Sequence, residues 1–584
     1  MEKVSDKNLL EDVREQSLME FTKEIAKEVR LSGTEEEFRA FQYAEKQLKS
    51  FGFQTNLYKR MGYVSHPGES ILEVNGKGYQ SITHAMAPQT PKEGVTSQLV
   101  YVGEGTDQNY SEIDVSGKIV LIEGLAIPGQ VMQAEKFGAI AAVFINAEYT
   151  HEMIVSTVWG NPDLKQSNDY PKIPVVSVNY SDGQKIIEDI NSKEVVNCFM
   201  KTKVETKWCE IPMLEADYKA KNDSDSYVLF SGHIDSWHYG VMDNGTANAT
   251  MLEIARVIGE NKLQLNRSLK LAFWSGHSHG RYAGSARYVD EHWEDLYDHC
   301  IAHINIDSVG GKNSYVLSEG NAMAGTKEII AQSIGSIAHE DFNSTRYGRS
   351  GDQSFWGPGV PSLLMGLSEQ RPDDSPVMKA FSKLFGGGKG GGFGWWWHTT
   401  EDTIDKIDPE LLVRDCKIYL SIILELCSSP IIPFDPLAEI EDVEKTVNMY
   451  AGLCESHNGL QTAKKRITEA KRLIVDIQDV IKGKDTYTED QVELINCWLM
   501  DTTRVLVRIN YVNDDEFNHD KALGQPAVPL LADVLKFTED EADSYNYIVE
   551  TSLTRKANKF NFIVRELISD LKEWLVKLEQ SFRA

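Results

Sequence analysis

Residues 231 to 249 read Ser-Gly-His-Ile-Asp-Ser-Trp-His-Tyr-Gly-Val-Met-Asp-Asn-Gly-Thr-Ala-Asn-Ala. The imidazole of His233 and the carboxylates of Asp235 and Asp243 follow an apolar, strand-like run at 227 to 230 and precede a helical pattern at 251 to 258. Nitrogen and carboxylate donors fixed where a sheet meets a helix are ligands that a zinc-type cation uses. A polar turn whose groups satisfy one another would read the same from this segment alone. Later segments supply partners of the right type: the apolar run 301 to 306 ends at Asp307, and Trp395-Trp396-Trp397 leads into His398.

These pieces form an ordered set: His-x-Asp-Ser-Trp at 233 to 237, Asp-Asn-Gly at 243 to 245, Asn-Ile-Asp at 305 to 307 and His-Thr-x-x-Asp-Thr-x-Asp-Lys-Ile-Asp at 398 to 408. The set resembles the co-catalytic zinc peptidases, which include bacterial aminopeptidases, glutamate carboxypeptidase and the peptidase-like transferrin receptor. The resemblance implies that Asp243 bridges two metals, that His233 and Asp307 complete one site, and that His398 belongs to the other. Paired cations of this kind acidify a bound water and polarise the scissile carbonyl. Asp235 would orient the His233 imidazole or a catalytic water. The expectation is one or two zinc ions and cleavage of an amide or peptide-like bond in a small-molecule or short peptide substrate.

The resemblance breaks where the family has adjacent glutamates, the first a general base and the second a ligand to the second metal. Here the chain reads Phe273-Trp274-Ser275-Gly276-His277-Ser278-His279-Gly280-Arg281-Tyr282-Ala283-Gly284-Ser285, without either glutamate. Anchoring on Trp274 puts His277 and Ser278 on the pair, whereas anchoring on Gly284-Ser285 puts Ser278 and His279 there. An imidazole can replace a carboxylate on zinc and can act as a general base near neutral pH. Losing a negative charge would leave the metals less neutralised. Either His279 or His277 fills the vacated ligand position while the other relays protons; the assignment adopted has His279 as ligand and His277, with Asp235, in the catalytic role. Two other readings are a peptidase-like binding protein without turnover and a metal enzyme of different chemistry, a lyase or non-peptide amidohydrolase.

The elements that must carry these residues follow from periodicity. Apolar runs at 227 to 230, 269 to 274, 301 to 306 and 360 to 365 alternate with helical patterns near 245 to 260, 281 to 297 and 408 to 428. That alternation predicts an α/β fold with a mixed, largely parallel sheet and helices on both faces. Residues 1 to 65 open with helical spacing (Leu9, Leu10, Val13, Leu18, Phe21, Ile25) and are expected to belong to this domain, together with residues 206 to 430. Residues 66 to 205 change to short strands and glycine turns and resemble an inserted, β-rich protease-associated domain that roofs the active site. Residues 431 to 584 form a helical domain, with one stripe at Ile467, Ala470, Ile474, Ile477 and Ile481 and another at Ile563, Leu567, Leu571, Trp574, Leu575 and Leu578. In the carboxypeptidase and receptor branch a helical domain here supports a dimer, which implies a homodimer.

Composition bounds the rest. The chain has 584 residues, a net charge of −28 and no basic patch, which argues against nucleic acid or an anionic membrane as partner. No run of about 18 apolar residues is present to span a membrane, and the first residues are charged rather than an apolar signal core. Seven scattered cysteines without close pairing fit reduced thiols and a cytoplasmic setting. Arg346 and Arg349 are candidates for binding a substrate carboxylate, and Arg281 and Tyr282 for oxyanion contacts. The glycine-rich stretch 386 to 394 beside Trp395 suggests a mobile lid.

Overall fold

The computed structural model describes residues 6–583 except 194, 223, 318–319, 376–377, 380, 382–390, 484–485 and 539–543. At the heart of its larger sheet, the strand Tyr227–His233 has Ser268–Trp274 and Cys300–Asn305 parallel to it on either side. Every residue of Tyr227–His233 is buried. With both faces covered, the strand reads as a continuous apolar run instead of an alternation. Ser362–Leu363 extends the sheet in parallel beyond Cys300–Asn305, and Asn197–Tyr218 joins antiparallel beside Ser268–Trp274. The sheet is thus mixed and largely parallel.

Helices form where the spacing predicts them: Ala247–Glu260, Ala283–His299 and Pro409–Ser428. The last starts on Pro409, preorganised for a first helical position, and is capped by the Asp408 carboxylate, which accepts the N–H groups of Glu410 and Leu411. The N-terminal pattern divides into Asp6–Glu11, Glu15–Ile25 and Glu35–Ser50. Its apolar face, including Leu18, Phe21, Ile25 and Phe41, enters the main core.

The borders expected at 65/66 and 205/206 fall inside a continuous element. Gln54–Val74 and Asn197–Tyr218 pair antiparallel from Gln54 opposite Asp217 to Val74 opposite Cys198, with one register shift between Pro67 and Ser70, and His66 sits opposite Glu205. The change in composition near residue 66 marks this shift rather than a strand end. Beyond it, Val95–Tyr101, Ile119–Glu123, Ala141–Ile145 and Val175–Val178 pair in parallel around a separate core that includes Leu121, Val143 and Val176.

Helices Pro436–Leu453, Asn458–Lys482, Glu489–Tyr511 and Ser544–Arg583 make up the C-terminal part. Ile467, Ala470, Ile474 and Ile477 are buried, as are Leu567, Leu571 and Leu578 on the facing helix. The rest of the two stripes, Ile481, Ile563, Trp574 and Leu575, is partly buried against the same core. Among the described residues no helix is long and apolar enough to cross a membrane, and no disulfide joins the cysteines.

Candidate metal centre

Two of the predicted donors stand at the carboxyl ends of adjacent parallel strands, where open α/β sheets form their binding crevice. His233 closes Tyr227–His233, and Asp307 lies just past Cys300–Asn305. Asp243 occupies the irregular turn Val241–Thr246 that runs into helix Ala247–Glu260. The flanking motif residues hold that turn. The Asp402 carboxylate accepts the N–H groups of Met242 and Asp243 at 2.9 and 3.0 Å. Asn244 donates to the Ile306 carbonyl and accepts the Ser308 N–H, tying the turn to the Asp307 segment. Asn248 donates to the carbonyls of His233 and Asn244.

Three imidazoles are held in the same way. His233 Nδ1 donates to the Asp235 carbonyl at 2.9 Å, His398 Nδ1 to the Glu152 carbonyl at 2.6 Å, and His277 Nδ1 to the Asp352 carboxylate at 2.8 Å. Fixing one ring nitrogen leaves the other, Nε2, as the free lone pair. His233 Nε2 lies 3.2 Å from Asp243 Oδ1 and 3.6 Å from Asp307 Oδ2. His398 Nε2 lies 3.1 Å from Asp243 Oδ2, and His277 Nε2 4.0 Å from Asp307 Oδ2. Asp243 therefore has one oxygen toward His233 and the other toward His398. His233 Nε2 and Asp243 Oδ1 are both buried without a hydrogen-bond partner. Acceptors facing acceptors at these distances are reconciled by a cation between them, so the residues fit a metal ion.

The structure corrects the roles adopted for the two substituting histidines. Donor atoms of His233, His277 and Asp307 lie within 4.8 Å of one another, and His279 is outside this group. The Asp235 carboxylate is the cause. It accepts the N–H of Ser278 at 2.8 Å, the N–H of His277 at 3.3 Å and the Ser32 hydroxyl at 2.6 Å, and so turns the segment after Trp274. His277 is left facing the carboxylates, while His279 points to the opposite wall, with Nδ1 3.0 Å from Ser32 Oγ and its ring 4.4 Å from that of Trp237. Burial pushes the His279 pKa down to about 3, so this ring is neutral.

Proximity does not make His277 a second ligand to the ion of His233. The two rings are stacked, with centroids 3.7 Å apart and planes 12° from parallel. A ring nitrogen presents its lone pair in the plane of the ring, and two nearly parallel planes do not converge on one ion. His277 is instead tied to Asp352, a buried carboxylate whose other oxygen accepts the Ser285 hydroxyl at 2.7 Å.

Sequence reasoning missed several of the residues that position this centre. Arg30, fully buried, donates to the carbonyls of Ile234, Tyr239 and Gly240 and so clamps the segment between His233 and Asp243. Glu152 belongs to the insert, yet its main chain exchanges two hydrogen bonds with His398: its N–H donates to the His398 carbonyl and its carbonyl accepts His398 Nδ1. Burial raises the Glu152 carboxyl to a pKa of about 8. Burial, with the charge of Asp243 beside it, raises Asp402 to about 7. For Asp235 and Asp243 burial acts in the same upward direction, but the adjacent histidines prevail and hold both well below the usual carboxylate range. His233 is the mirror case: burial opposes its charge, and Asp235, Asp243 and Asp307 together raise its pKa.

A cavity of about 310 Å³ opens beside the centre, lined by Asp243, His277, Asp307 and His398 and by Met153 and Ile154 of the insert. Trp237, Phe393 and Trp397 supply aromatic walls. Most of the glycine-rich stretch, residues 386 to 390, lies outside the described residues; Phe393, which follows it, lines the cavity. Arg349, Arg281 and Tyr282 also line the cavity, whereas Arg346 does not. Arg346 is engaged by Asn510 and lies over the Tyr511 ring at 3.9 Å.

The segment that carries these donors resembles known proteins. Residues 214–422 match peptidase family M28. The M28 segment contains all four of His233, Asp243, Asp307 and His398, and residues 95–186 match the PA domain. A probable glutamate carboxypeptidase of Zea mays, VP8, is 22% identical over 72% of this chain and 68% of its own length. Carboxypeptidase Q of Xenopus laevis is 24% identical over 46% of this chain, and the chain spans only 59% of that relative. An aminopeptidase from Aneurinibacillus sp. strain AM-1 superimposes with a TM-score of 0.55 at 22% identity, covering 73% of this chain and 96% of that one. The M28 fold is thus shared, with the PA segment inserted ahead of it.

Proposed function

We propose that the protein is a metal-dependent hydrolase of the zinc aminopeptidase and carboxypeptidase type, cleaving an amide or peptide-like bond in a small substrate. One observation carries this reading: imidazoles fixed through Nδ1 aim Nε2 at the carboxylates of Asp243 and Asp307, and buried donor atoms there lack any other partner. His233, Asp243 and Asp307 would hold one ion, and Asp243 with His398 a second. A bound divalent cation would polarise the scissile carbonyl and ease deprotonation of water. The names of the maize and Xenopus relatives support the same class.

His277 takes over the task of the missing glutamate base. Its Nε2 accepts the proton of the attacking water and passes it to the leaving nitrogen. Asp352 fixes the ring and its tautomer through Nδ1, as an orienting carboxylate does for other histidine bases. Ser278 brings no charge to the second metal position, so that position has fewer protein ligands than the first. The cavity, near the small end of ligand sites, suits a small molecule or a short peptide end.

Metal analysis of the purified full chain tests the reading. We expect at least one equivalent of a divalent metal and its loss in His233→Ala. Less than about half an equivalent in the unaltered protein would instead favour a peptidase-like binding protein without turnover.

A further inference from the structure

The cavity beside the metal centre is lined by two guanidinium groups that form no ion pair with a carboxylate among the described residues, although the charge of Asp520 acts on Arg349. The Arg281 side chain makes no hydrogen bond or ion pair among the described residues, and its Nε is buried without a partner. Its nearest described aromatic is the ring of Tyr282, 5.5 Å from Cζ. Arg349 is 7% exposed and donates to the backbone carbonyls of Gln353 and Asp520, with Cζ 3.9 Å from the Trp159 ring centroid and its own Nε unpartnered. Backbone carbonyls and ring faces solvate a cation without cancelling its charge. Other buried arginines are held by backbone carbonyls, as Arg30 is by Ile234, Tyr239 and Gly240, whereas the Arg281 side chain has no such partner among the described residues.

The backbone is shaped to put Arg281 there. Arg281 and Tyr282 are consecutive residues in the left-handed region, at φ 49° and 71°. Such conformations are costly for residues with a Cβ and persist where the surroundings enforce them. The Arg281 carbonyl accepts the Gly160 N–H at 2.7 Å, and the Tyr282 hydroxyl accepts the Gly351 N–H at 3.0 Å. The turn is thereby pinned between the insert and the loop that carries Arg349. The acidic groups of the same cavity, Asp243 and Asp307, face the imidazoles.

We infer that this cleft selects a substrate bearing a free carboxylate, received by Arg281 with Arg349 behind it, while an apolar side chain rests against Ile154, Trp237 and Trp397. This deepens the hydrolase reading and rests on it for where the scissile bond lies. The cleft thereby favours a carboxyl-terminal residue or an N-acyl amino acid over a substrate recognised by a free amine. A guanidinium is suited to this because it forms paired hydrogen bonds to a planar carboxylate.

The test is direct binding of N-acetyl-leucine and N-acetyl-leucinamide to the full chain, metal-loaded and chelator-treated, by calorimetry or ligand-observed NMR. The acid should bind at least about tenfold more tightly than the amide in both forms. Arg281→Gln should remove that preference, and Arg281→Lys should keep part of it, with melting curves checking that each variant is folded. Equal binding of acid and amide, no binding of either, or a preference untouched by Arg281→Gln would overturn the inference. So would a preference that vanishes on chelation, since the carboxylate would then be reading the metal. Hydrolysis of N-acetyl-leucine, assayed in parallel, reports on the hydrolase reading alone.

Discussion

His277 and Asp352 lie 75 residues apart in sequence, yet Nδ1 and Oδ2 meet at 2.8 Å. The Asp352 carboxylate is buried and also accepts the Ser285 hydroxyl, so it has little freedom to turn away. A carboxylate in this position selects the tautomer of the imidazole and holds the ring in place during proton transfer.

Replacing Asp352 should therefore act on turnover more than on binding. For Asp352→Asn we expect kcat to fall roughly 10- to 100-fold with KM and metal content nearly unchanged, and Asp352→Glu to recover part of the loss. Steady-state kinetics with metal analysis on the same preparations decide the matter. Loss of metal in Asp352→Asn would show that His277 is a ligand rather than a base.

His277→Ala and His279→Ala should differ in kind. The first should keep the ion of His233 and Asp243 while lowering kcat by about 10² to 10⁴. The second removes a buried ring packed on Trp237 and should lower stability by about 1–3 kcal/mol, with metal content preserved in the folded fraction. Metal loss in His279→Ala without loss of stability would return that residue to the ligand set.

A stability prediction follows from His84, in the insert. The ring is fully buried, donates or accepts one hydrogen bond with Ser177 at 2.7 Å, and burial lowers its pKa to about 3. Because the unfolded chain binds a proton near pH 6.5 and the folded one does not, the native state is favoured above that value. It then loses up to about 1.4 kcal/mol per pH unit as the pH falls toward 3. Denaturant unfolding at pH 7.5 and pH 5 should show a smaller difference for His84→Asn than for the unaltered chain. The same pH dependence in both would refute this role.

Gly259 is a steric keystone where helix Ala247–Glu260 meets the end of helix Glu35–Ser50. A Cβ there would stand 2.0 Å from the Phe51 carbonyl oxygen. The backbone fixes where a Cβ stands and the oxygen belongs to the Phe51 main chain, so no rotamer change relieves the clash. Gly259→Ala should cost about 2 kcal/mol or more, read as a lowered urea midpoint; an unchanged midpoint would mean that the helix ends shift freely.

How much of this was legible in the sequence depends on the kind of contact. The run ending in His233 could be read because a strand covered on both faces must be apolar throughout, and the ligand motifs flank that strand and its neighbours. The choice between His277 and His279 could not be read, because it turns on which main-chain N–H groups the Asp235 carboxylate accepts. Asp352 gave no signal as a partner across 75 residues. The Glu152 contacts to His398 are made by its backbone, which every residue type offers. The insert border expected at 65/66 follows a composition shift at the irregularity beside Pro67, partway along a ladder that pairs through to Val74 and Cys198, and composition does not register that continuity.

That ladder also limits how the protein can be taken apart or recombined. The insert is not a cassette hung on linkers: cutting at its compositional border would sever one ladder across both strands, between Ser65–Thr206 and His66–Glu205, and strip His398 of its Glu152 support. A chimera that exchanges the insert with a relative's therefore has to rejoin both strands in register and restore the Glu152–His398 contact.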